Sequence, residues 1–160
     1  MAKKVSILFG VIVSVLIAQM AGFIGSFFTA PSIQSWYVFL EKPFFAPPNW
    51  LFAPAWITLY VLMGIAAFLV WRKRSVVGAK LALWLYGVQL ALNALWSIIF
   101  FGMRNPGLAF VEIVVLWFLI LVVTLKFLKV KKVAGYLFVP YLLWVSFAAI
   151  LNFTVWRLNI

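Results

Sequence analysis

Side chains that could perform polar catalysis are scarce in this chain of 160 residues. It has no cysteine and no histidine, and its two acidic residues are Glu41 and Glu112. The missing residue types exclude disulfides, thiolate nucleophiles, the usual zinc sites and any Ser-His-Asp triad. A pair of hydrolytic carboxylates would need both acids in one site, but Glu41 lies in a predicted loop and Glu112 early in a predicted helix. We therefore expect neither a conventional hydrolytic site nor a metal site.

Glu112 is expected to form a structural ion pair with Arg104, with handling of a proton or a substrate as the alternative.

Indole and amide side chains are the groups that remain for building a site. Four of the nine tryptophans fall deep within long apolar runs: Trp56, Trp96, Trp117 and Trp144. Gln89, Asn93 and Trp96 follow helical spacing and share one face, and Asn152 stands late in the last apolar run. Such a set suits a flat, mostly apolar ligand held by a few polar points. Packing of the tryptophans and interhelical hydrogen bonds from the amides explain the same residues, so both interpretations stay open.

The elements that would position these residues are membrane-spanning helices. Hydrophobic residues make up 68% of the chain, more than a soluble domain of this size carries. Runs of about 20 apolar residues recur, and a run of that length crosses a bilayer core as a helix. Five spans are predicted, at about 5–28, 51–71, 79–101, 107–127 and 134–156, with a lid loop at about 29–50. The predicted fold is a single all-α domain, an integral membrane bundle of five transmembrane helices.

The basic residues indicate how this bundle sits in the membrane. The net charge is +11, but the basic residues lie at span ends rather than along one helix face, which argues against nucleic acid as a partner. Ten of the thirteen fall on one side of the predicted membrane: Lys3, Lys4, Arg72, Lys73, Arg74, Lys80, Lys126, Lys129, Lys131 and Lys132. Lys42, Arg104 and Arg157 fall on the other side. The positive-inside rule then predicts a cytoplasmic N-terminus and a C-terminus outside.

Two local patterns predict close packing or a cover. Ala18, Gly22 and Ser26 recur every four residues in span one, which favours packing within the bundle or close approach of a ligand. Gly87 and Ala91 have the same spacing in span three and would serve bundle packing or a dimer seam. The stretch 36–48 carries bulky aromatics and prolines where a flexible linker would use glycine and serine, which favours a shaped lid over a cavity.

Three runs of the sequence resemble one known family of membrane proteins. They are WYVFLEKPFFAPPNWLFAPAWITLYVLMG, QLALNALWSIIFFGMRNPGLAFVE and PYLLWVSFAAILNFTVWRLN. They closely resemble the tryptophan-rich sensory protein / translocator protein family, also called the peripheral-type benzodiazepine receptor family. Members of that family are five-helix membrane proteins, usually dimers, that bind porphyrins such as protoporphyrin IX. The resemblance implies a pocket among the helices, with the first loop as its lid.

The residues that would line this pocket are those that match the motifs of the family. They are Ser26, Thr29, Phe52, Ala53, Ala55, Trp56, Asn93, Trp96, Leu108, Val111, Val115, Trp144, Ala148 and Leu151. This sequence departs from the pattern of the animal proteins at two functionally important places. Leu108 stands where the animal proteins have a pocket tryptophan, and Phe153 and Thr154 stand where the sterol-recognition pattern has tyrosines. The resemblance therefore does not extend to the drug affinity of the animal proteins or to cholesterol as the native ligand.

The resemblance implies a membrane receptor or sensor that binds tetrapyrroles and moves or sequesters them. One alternative is a light-dependent enzyme that degrades porphyrin, with Trp56 and Trp144 as its catalytic residues. Another is a non-catalytic membrane scaffold whose aromatic cluster only packs. No cofactor is obligatory, and the absence of histidine favours a metal-free tetrapyrrole such as protoporphyrin IX over haem.

The implied partners are this porphyrin-type ligand, the lipid bilayer and a second copy of the chain in a homodimer. The propionate groups of the ligand would need cationic or hydrogen-bonding partners, for which the candidates are Lys42, Arg104, Asn93 and Asn152. The expected location is a bacterial plasma membrane, with an outer membrane as the alternative that the family suggests.

Overall fold

Five long helices make up most of the chain in its computed structural model, which describes residues 2–160 and the side chains from Ser6 onward. They are α1 (Ala2–Ser35), α2 (Asn49–Trp71), α3 (Ala79–Ser97), α4 (Pro106–Val130) and α5 (Lys132–Leu158). A 3-10 turn at Tyr37–Phe39 follows α1, and a π-helical turn at Ile98–Gly102 extends α3. The described residues contain no strand. All five helices are long and apolar enough to cross a membrane, so the predicted all-α, five-helix fold is confirmed.

The helices form a closed ring. α1 packs against α2 and α3, α4 packs against α3 and α5, and α5 packs in turn against α2. The end of the ring that carries the α2–α3 and α4–α5 connectors is called the basic end, and the opposite one the lid end. Towards the basic end the interior is filled by the rings of Tyr86, Phe127 and Phe138, whose centroids lie 5.0 to 6.0 Å apart. Towards the lid end the ring encloses space.

The distribution of charge follows the two ends. Eight basic side chains belong to the basic end: Arg72, Lys73, Arg74, Lys80, Lys126, Lys129, Lys131 and Lys132. The side chains of Lys3 and Lys4, which the sequence assigns to the same group, lie outside the described residues. The cytoplasmic placement of this end stays a prediction.

The first helix is longer than predicted, and the connector after it is shorter. α1 continues to Ser35 rather than ending near residue 28, although Pro31 removes one backbone donor inside it. The extension is held by Ser32, whose hydroxyl donates to the carbonyl oxygen of Phe101 at 2.8 Å. The prediction of a loop from residue 29 is therefore wrong. The connector is residues 36–48, which we call the lid.

Close backbone contact joins α1 to α2. A Cβ atom on Gly64 would lie 2.5 Å from the Cα atom of Val15, and the Ser14 hydroxyl donates to the carbonyl oxygen of Gly64 at 2.8 Å. Gly22, one of the small residues of the predicted stripe, packs directly against the ring of Tyr60. Packing within the bundle is thus confirmed for Ala18, which is fully buried, and for Gly22, whereas Ser26 is not packed in the bundle.

The small residues of α3 behave differently. Gly87 and Ala91 are exposed on the outside of the bundle, and no described atom lies within 4 Å of a Cβ built on Gly87. Their interpretation as packing within the bundle is wrong, because α3 turns another face, with Tyr86 and Leu90, towards its neighbours. A dimer seam at these residues stays a prediction.

Candidate functional site

A cavity of about 520 Å³ lies inside the ring at the lid end. Its walls come from α1, α2, α3, α5, the π-helical turn and the lid, whereas α4, described over its whole length, contributes no residue. Its volume falls within the range of small-molecule sites, roughly 300–1,000 Å³. Among the described side chains that line it, none carries a formal charge. Such an interior suits a largely apolar ligand.

Ten of the fourteen residues that the family resemblance places in the pocket lie around this cavity. They are Ser26, Thr29, Phe52, Ala53, Trp56, Asn93, Trp96, Trp144, Ala148 and Leu151. They belong to four different helices, which the closed ring brings to one interior space. That these residues bind a ligand stays a prediction.

The other four do not lie on the cavity: Ala55, Leu108, Val111 and Val115. The last three are 44%, 60% and 54% exposed on the outer face of α4. α4 turns the opposite face, with Ala109 and Ile113, into the bundle and packs behind the cavity wall. Ala55 is rotated by about 100° on the helix from Trp56, which does line the cavity. The placement of these four residues in the pocket is therefore corrected.

Five polar residues of the wall were missed from the sequence: Gln19, Tyr37, Asn49, Tyr60 and Ser97. Tyr60 follows Trp56 by four residues, so helical spacing alone would place both on one face. Gln19 is the single amide of the first span, and a polar residue at such a position is a signal in itself. Tyr37 lies in the lid, where no periodicity indicates which side chain turns inward.

A chain of hydrogen bonds leads from the cavity wall into the core. The Tyr60 hydroxyl donates to Asn93 Oδ1, and Asn93 Nδ2 donates to the Tyr141 hydroxyl at 2.9 Å. The Tyr141 hydroxyl donates to Gln89 Oε1 at 2.8 Å, and Gln89 Nε2 lies 3.8 Å from Met63 Sδ. All five side chains are buried. Because these bonds join α2, α3 and α5, the interpretation of Asn93 as an interhelical hydrogen-bonding residue is confirmed, and Asn93 lies on the cavity as well.

Asn152 makes a second set of interhelical bonds. Its Oδ1 accepts from Trp96 Nε1 at 3.0 Å, and its Nδ2 donates to the carbonyl oxygen of Pro106 at 2.8 Å. Both predicted amides thus have a structural role, and both line the cavity. They fix the positions of α3, α4 and α5 around it.

The two tryptophans singled out by the family resemblance stand on α2 and α5 and face the same cavity. Trp56 stacks on Tyr60 with ring centroids 5.6 Å apart. Trp144 meets Phe52 edge-on at 6.1 Å. The indole nitrogen of Trp144 is buried and makes no hydrogen bond within the described part of the chain.

The lid is attached to the C-terminal end of α5 and is held together by a contact of its own. The backbone N–H of Glu41 donates to Asn159 Oδ1 at 3.0 Å, and Asn159 Nδ2 donates back to the carbonyl oxygen of Glu41 at 3.0 Å. Lys42 Nζ lies 4.8 Å from the ring centroid of Tyr37, the lid residue that lines the cavity. Burial raises the pKa of the Tyr37 hydroxyl, which therefore stays neutral at physiological pH. These contacts describe a preorganised cover attached to the end of α5.

Glu112 does not form the predicted ion pair with Arg104. Its carboxyl group is turned into the bundle, and neither oxygen hydrogen-bonds to a described residue. Arg104 precedes α4 and places Nη2 3.5 Å from the hydroxyl of Ser35. The prediction is wrong because α4 turns Glu112 inward while the side chain of Arg104 lies at the end of the bundle.

Known proteins are similar in sequence to this chain over nearly its whole length. The model of the TspO/MBR family matches residues 14–157. The chain is 43% identical over 148 residues to Tryptophan-rich protein TspO of Archaeoglobus fulgidus, covering 92% of this chain and 95% of that protein. It is 43% identical over 144 residues to Protein CrtK of Rhodobacter capsulatus, covering 87% and 86%. It is 40% identical over 139 residues to Translocator protein of Homo sapiens, covering 86% and 82%.

Proposed function

The chain belongs to the TspO/MBR family, and from this premise we propose that it is a membrane receptor for a tetrapyrrole such as metal-free protoporphyrin IX. It is an integral multi-pass membrane protein. The tetrapyrrole enters the cavity at the lid end and is sequestered there or passed on. The observation that carries this proposal is the uncharged cavity of about 520 Å³ with tryptophans on three of its walls, from α2, α3 and α5.

The chemistry of the cavity supports a flat aromatic ligand with its acidic groups kept outside. Trp56 and Trp144 offer aromatic surfaces from the neighbouring helices α2 and α5, and aromatic contacts of this kind contribute roughly 0.5–1.5 kcal/mol each beyond the area they bury. Propionates find no cation among the described lining residues. Lys42 is separated from the interior by the ring of Tyr37, so a propionate at the mouth would meet it there.

Titration with protoporphyrin IX in the dark tests the proposal. Saturable quenching of tryptophan fluorescence is expected in the wild-type protein. Trp56→Phe/Trp144→Phe should bind the porphyrin on the order of tenfold more weakly, because two indole contacts are reduced to smaller phenyl rings. Porphyrin absorbance, which does not depend on the tryptophan count, measures the affinity of each variant.

The matched control is Trp71→Phe/Trp84→Phe, which removes two exposed tryptophans that do not line the cavity. This control should keep the wild-type affinity. Absence of saturable binding, or equal affinity in the two double variants, would refute the proposed site. It would leave the third interpretation, a scaffold whose aromatic residues only pack.

A second candidate function is the light-dependent degradation of the bound porphyrin. It is favoured by one observation, that Trp56 and Trp144 both face the cavity. Photoexcited porphyrin and dioxygen supply the oxidising power, and electron-rich indoles beside them can take part. In the illuminated arm of the same titration, an enzyme yields a new bilin-like absorbing product that free porphyrin under the same light does not. Bleaching without that product contradicts this function.

A homodimer in a bacterial plasma membrane completes the proposal. The exposed Gly87 and Ala91 of α3 are the candidate seam, since small residues allow helices to approach closely in lipid. The molar mass of the protein in detergent distinguishes a homodimer from a monomer, and a monomer would contradict the proposed seam. The plasma membrane is proposed because helical spans with one strongly basic end follow the pattern of inner-membrane proteins.

A further inference from the structure

We propose that the basic end of the bundle binds the headgroup of an anionic phospholipid, a phosphate diester that carries no positive charge of its own. The site is a groove of about 280 Å³ lined by Leu69, Arg72, Lys73 and Lys131, which we call the basic groove. It lies between the end of α2 and the junction of α4 with α5. The cavity occupies the opposite end of the bundle, so this inference is independent of the proposed function.

The basic groove collects cations that no carboxylate side chain of this sequence can balance. Three of its four lining residues are basic. The sequence has two acidic residues, and both belong to the lid end: Glu41 lies in the lid, and Glu112 lies near the start of α4. Like charges that share one groove repel one another and raise the local concentration of anions. An anion from outside the chain is therefore the natural occupant.

The helix ends around the groove do not oppose an anion. Free carbonyl oxygens at the C-terminal end of a helix would repel one. At the end of α2, however, the N–H groups of Arg72 and Lys73 donate to the carbonyl oxygens of Phe68 and Val70, both at 2.9 Å. At the end of α4, the N–H group of Lys131 donates to a carbonyl oxygen of the last turn at 2.8 Å. The basic side chains therefore set the charge of the groove.

The position of the groove matches the headgroup layer of a membrane. Its basic residues directly follow Trp71 and Val130, the last residues of two helices long enough to span a bilayer. Trp71 is 49% exposed, and tryptophan favours the boundary between hydrocarbon and headgroups. Leu69 precedes Trp71 on the helix and is the lining residue nearest to the membrane interior. A lipid can thus place its phosphate among the cations and its acyl chains beside α2.

The size and chemistry of the lining favour a phosphate group over a larger ligand. The volume lies below the roughly 300–1,000 Å³ of sites for whole small molecules. A guanidinium group can hold two phosphate oxygens at once, and lysine ammonium groups add compact charges beside it. Basic pockets between transmembrane helices bind anionic lipid headgroups in this way. A zwitterionic headgroup brings its own ammonium group, which the same cations repel.

Dioctanoyl phosphatidylglycerol and dioctanoyl phosphatidylcholine test this selectivity as a matched pair. They share their acyl chains and their phosphate, but only the second carries a compensating positive charge. Native mass spectrometry of the protein in non-ionic detergent counts the bound lipid as each one is titrated. Wild-type protein should bind the phosphatidylglycerol at least about tenfold more tightly, because several cations contribute at one site. Raising the salt concentration from about 0.1 M to about 0.5 M should weaken that preference severalfold.

A triple variant locates the site in the groove. Arg72→Gln/Lys73→Gln/Lys131→Gln removes every cation that lines it, and the ratio of the two affinities should fall close to one. All three side chains lie at helix ends, and none is fully buried, so the bundle should keep its helix content by circular dichroism. Its affinity for protoporphyrin IX should also stay that of the wild type, since the cavity is at the other end.

The matched control removes the same charge from the same end of the bundle. It also changes one arginine and two lysines, at exposed positions that do not line the groove: Arg74→Gln/Lys80→Gln/Lys129→Gln. This variant should keep at least about half of the wild-type preference, because salt screens exposed charges that do not touch the headgroup.

Three results would overturn the proposal. The first is a wild-type ratio near one, which means that the end does not select an anionic lipid. The second is an equal loss in the two triple variants, which assigns the preference to the overall charge of the basic end. The third comes from glycerophosphoglycerol, the same headgroup without acyl chains, which should compete at least severalfold more weakly than the lipid. Equal competition would make the groove a site for soluble phosphate esters.

Discussion

Glu112→Met is expected to stabilise the folded protein by about 2 kcal/mol, against the general rule that substitutions of buried residues destabilise. Glu112 is 8% exposed, and neither carboxyl oxygen finds a hydrogen-bonding partner in the described part of the chain. A buried polar group without a partner costs about 1–3 kcal/mol. Methionine has a similar length, no ionisable group and enough flexibility to fill the same space. The substitution therefore removes a penalty and keeps the packing.

Two variants show whether the gain comes from this carboxyl group. Glu112→Gln keeps a polar head in the same place and should gain much less. Glu41→Gln removes the other acid of the chain from the exposed lid and should stay within about 0.5 kcal/mol of wild type. Unfolding of each protein in detergent, followed by circular dichroism, gives the three differences. If Glu112→Met unfolded more easily, or folded well but lost porphyrin binding, the carboxyl group would have a functional partner, and handling of a proton or a substrate would be supported.

The number and type of the helices could be predicted because a membrane imposes them. About 20 apolar residues in a row suffice to define a span, since every backbone polar group in lipid must be satisfied within the helix. The end of α1 could not be predicted in this way. Its last turns contain Pro31 and polar residues, and a contact from Ser32 to the π-helical turn, distant in sequence, stabilises them.

The candidate site shows a second limit. The matches to the family motifs placed residues of α2, α3 and α5 around the cavity, with Ala55 of α2 as an exception. They failed for α4, where Leu108, Val111 and Val115 lie outside it. α4 is apolar on nearly every face, and its outer face lies towards lipid, so hydrophobic periodicity carries no information about which face is inside. Polar residues within the spans were the better guide. Each predicted amide did find partners, although the sequence could not say which.

The cavity depends on how closely α1 approaches α2, because α1 supplies one of its walls. Gly64→Ala is therefore expected to cost about 2 kcal/mol of stability. The added methyl group would stand 2.5 Å from the Cα atom of Val15 and 2.8 Å from its backbone nitrogen. Backbone atoms cannot rotate away as the end of a flexible side chain can, so α1 must shift as a whole. The loss is net of the gain in helix propensity from alanine, at most about 1 kcal/mol.

Gly87→Ala is the matched control, because it makes the same chemical change on a helix where no described atom lies within 4 Å of the new methyl group. This variant should keep or slightly gain stability, by up to about 1 kcal/mol, when it is measured on the detergent-solubilised monomer, where the proposed dimer seam is not formed and only helix propensity changes. Unfolding in detergent gives the change in stability of each variant, and porphyrin titration adds a functional measure.

In Gly64→Ala, a shifted α1 also strains the bond from Gln19 Nε2 to the carbonyl oxygen of Ile57, which is 3.0 Å long in the wild-type protein, and displaces the cavity wall beside it. Gly64→Ala should therefore bind porphyrin severalfold more weakly even where it is folded. Equal stability of the two alanine variants would mean that α1 and α2 are not in backbone contact. The position of the cavity wall that α1 supplies would then be wrong.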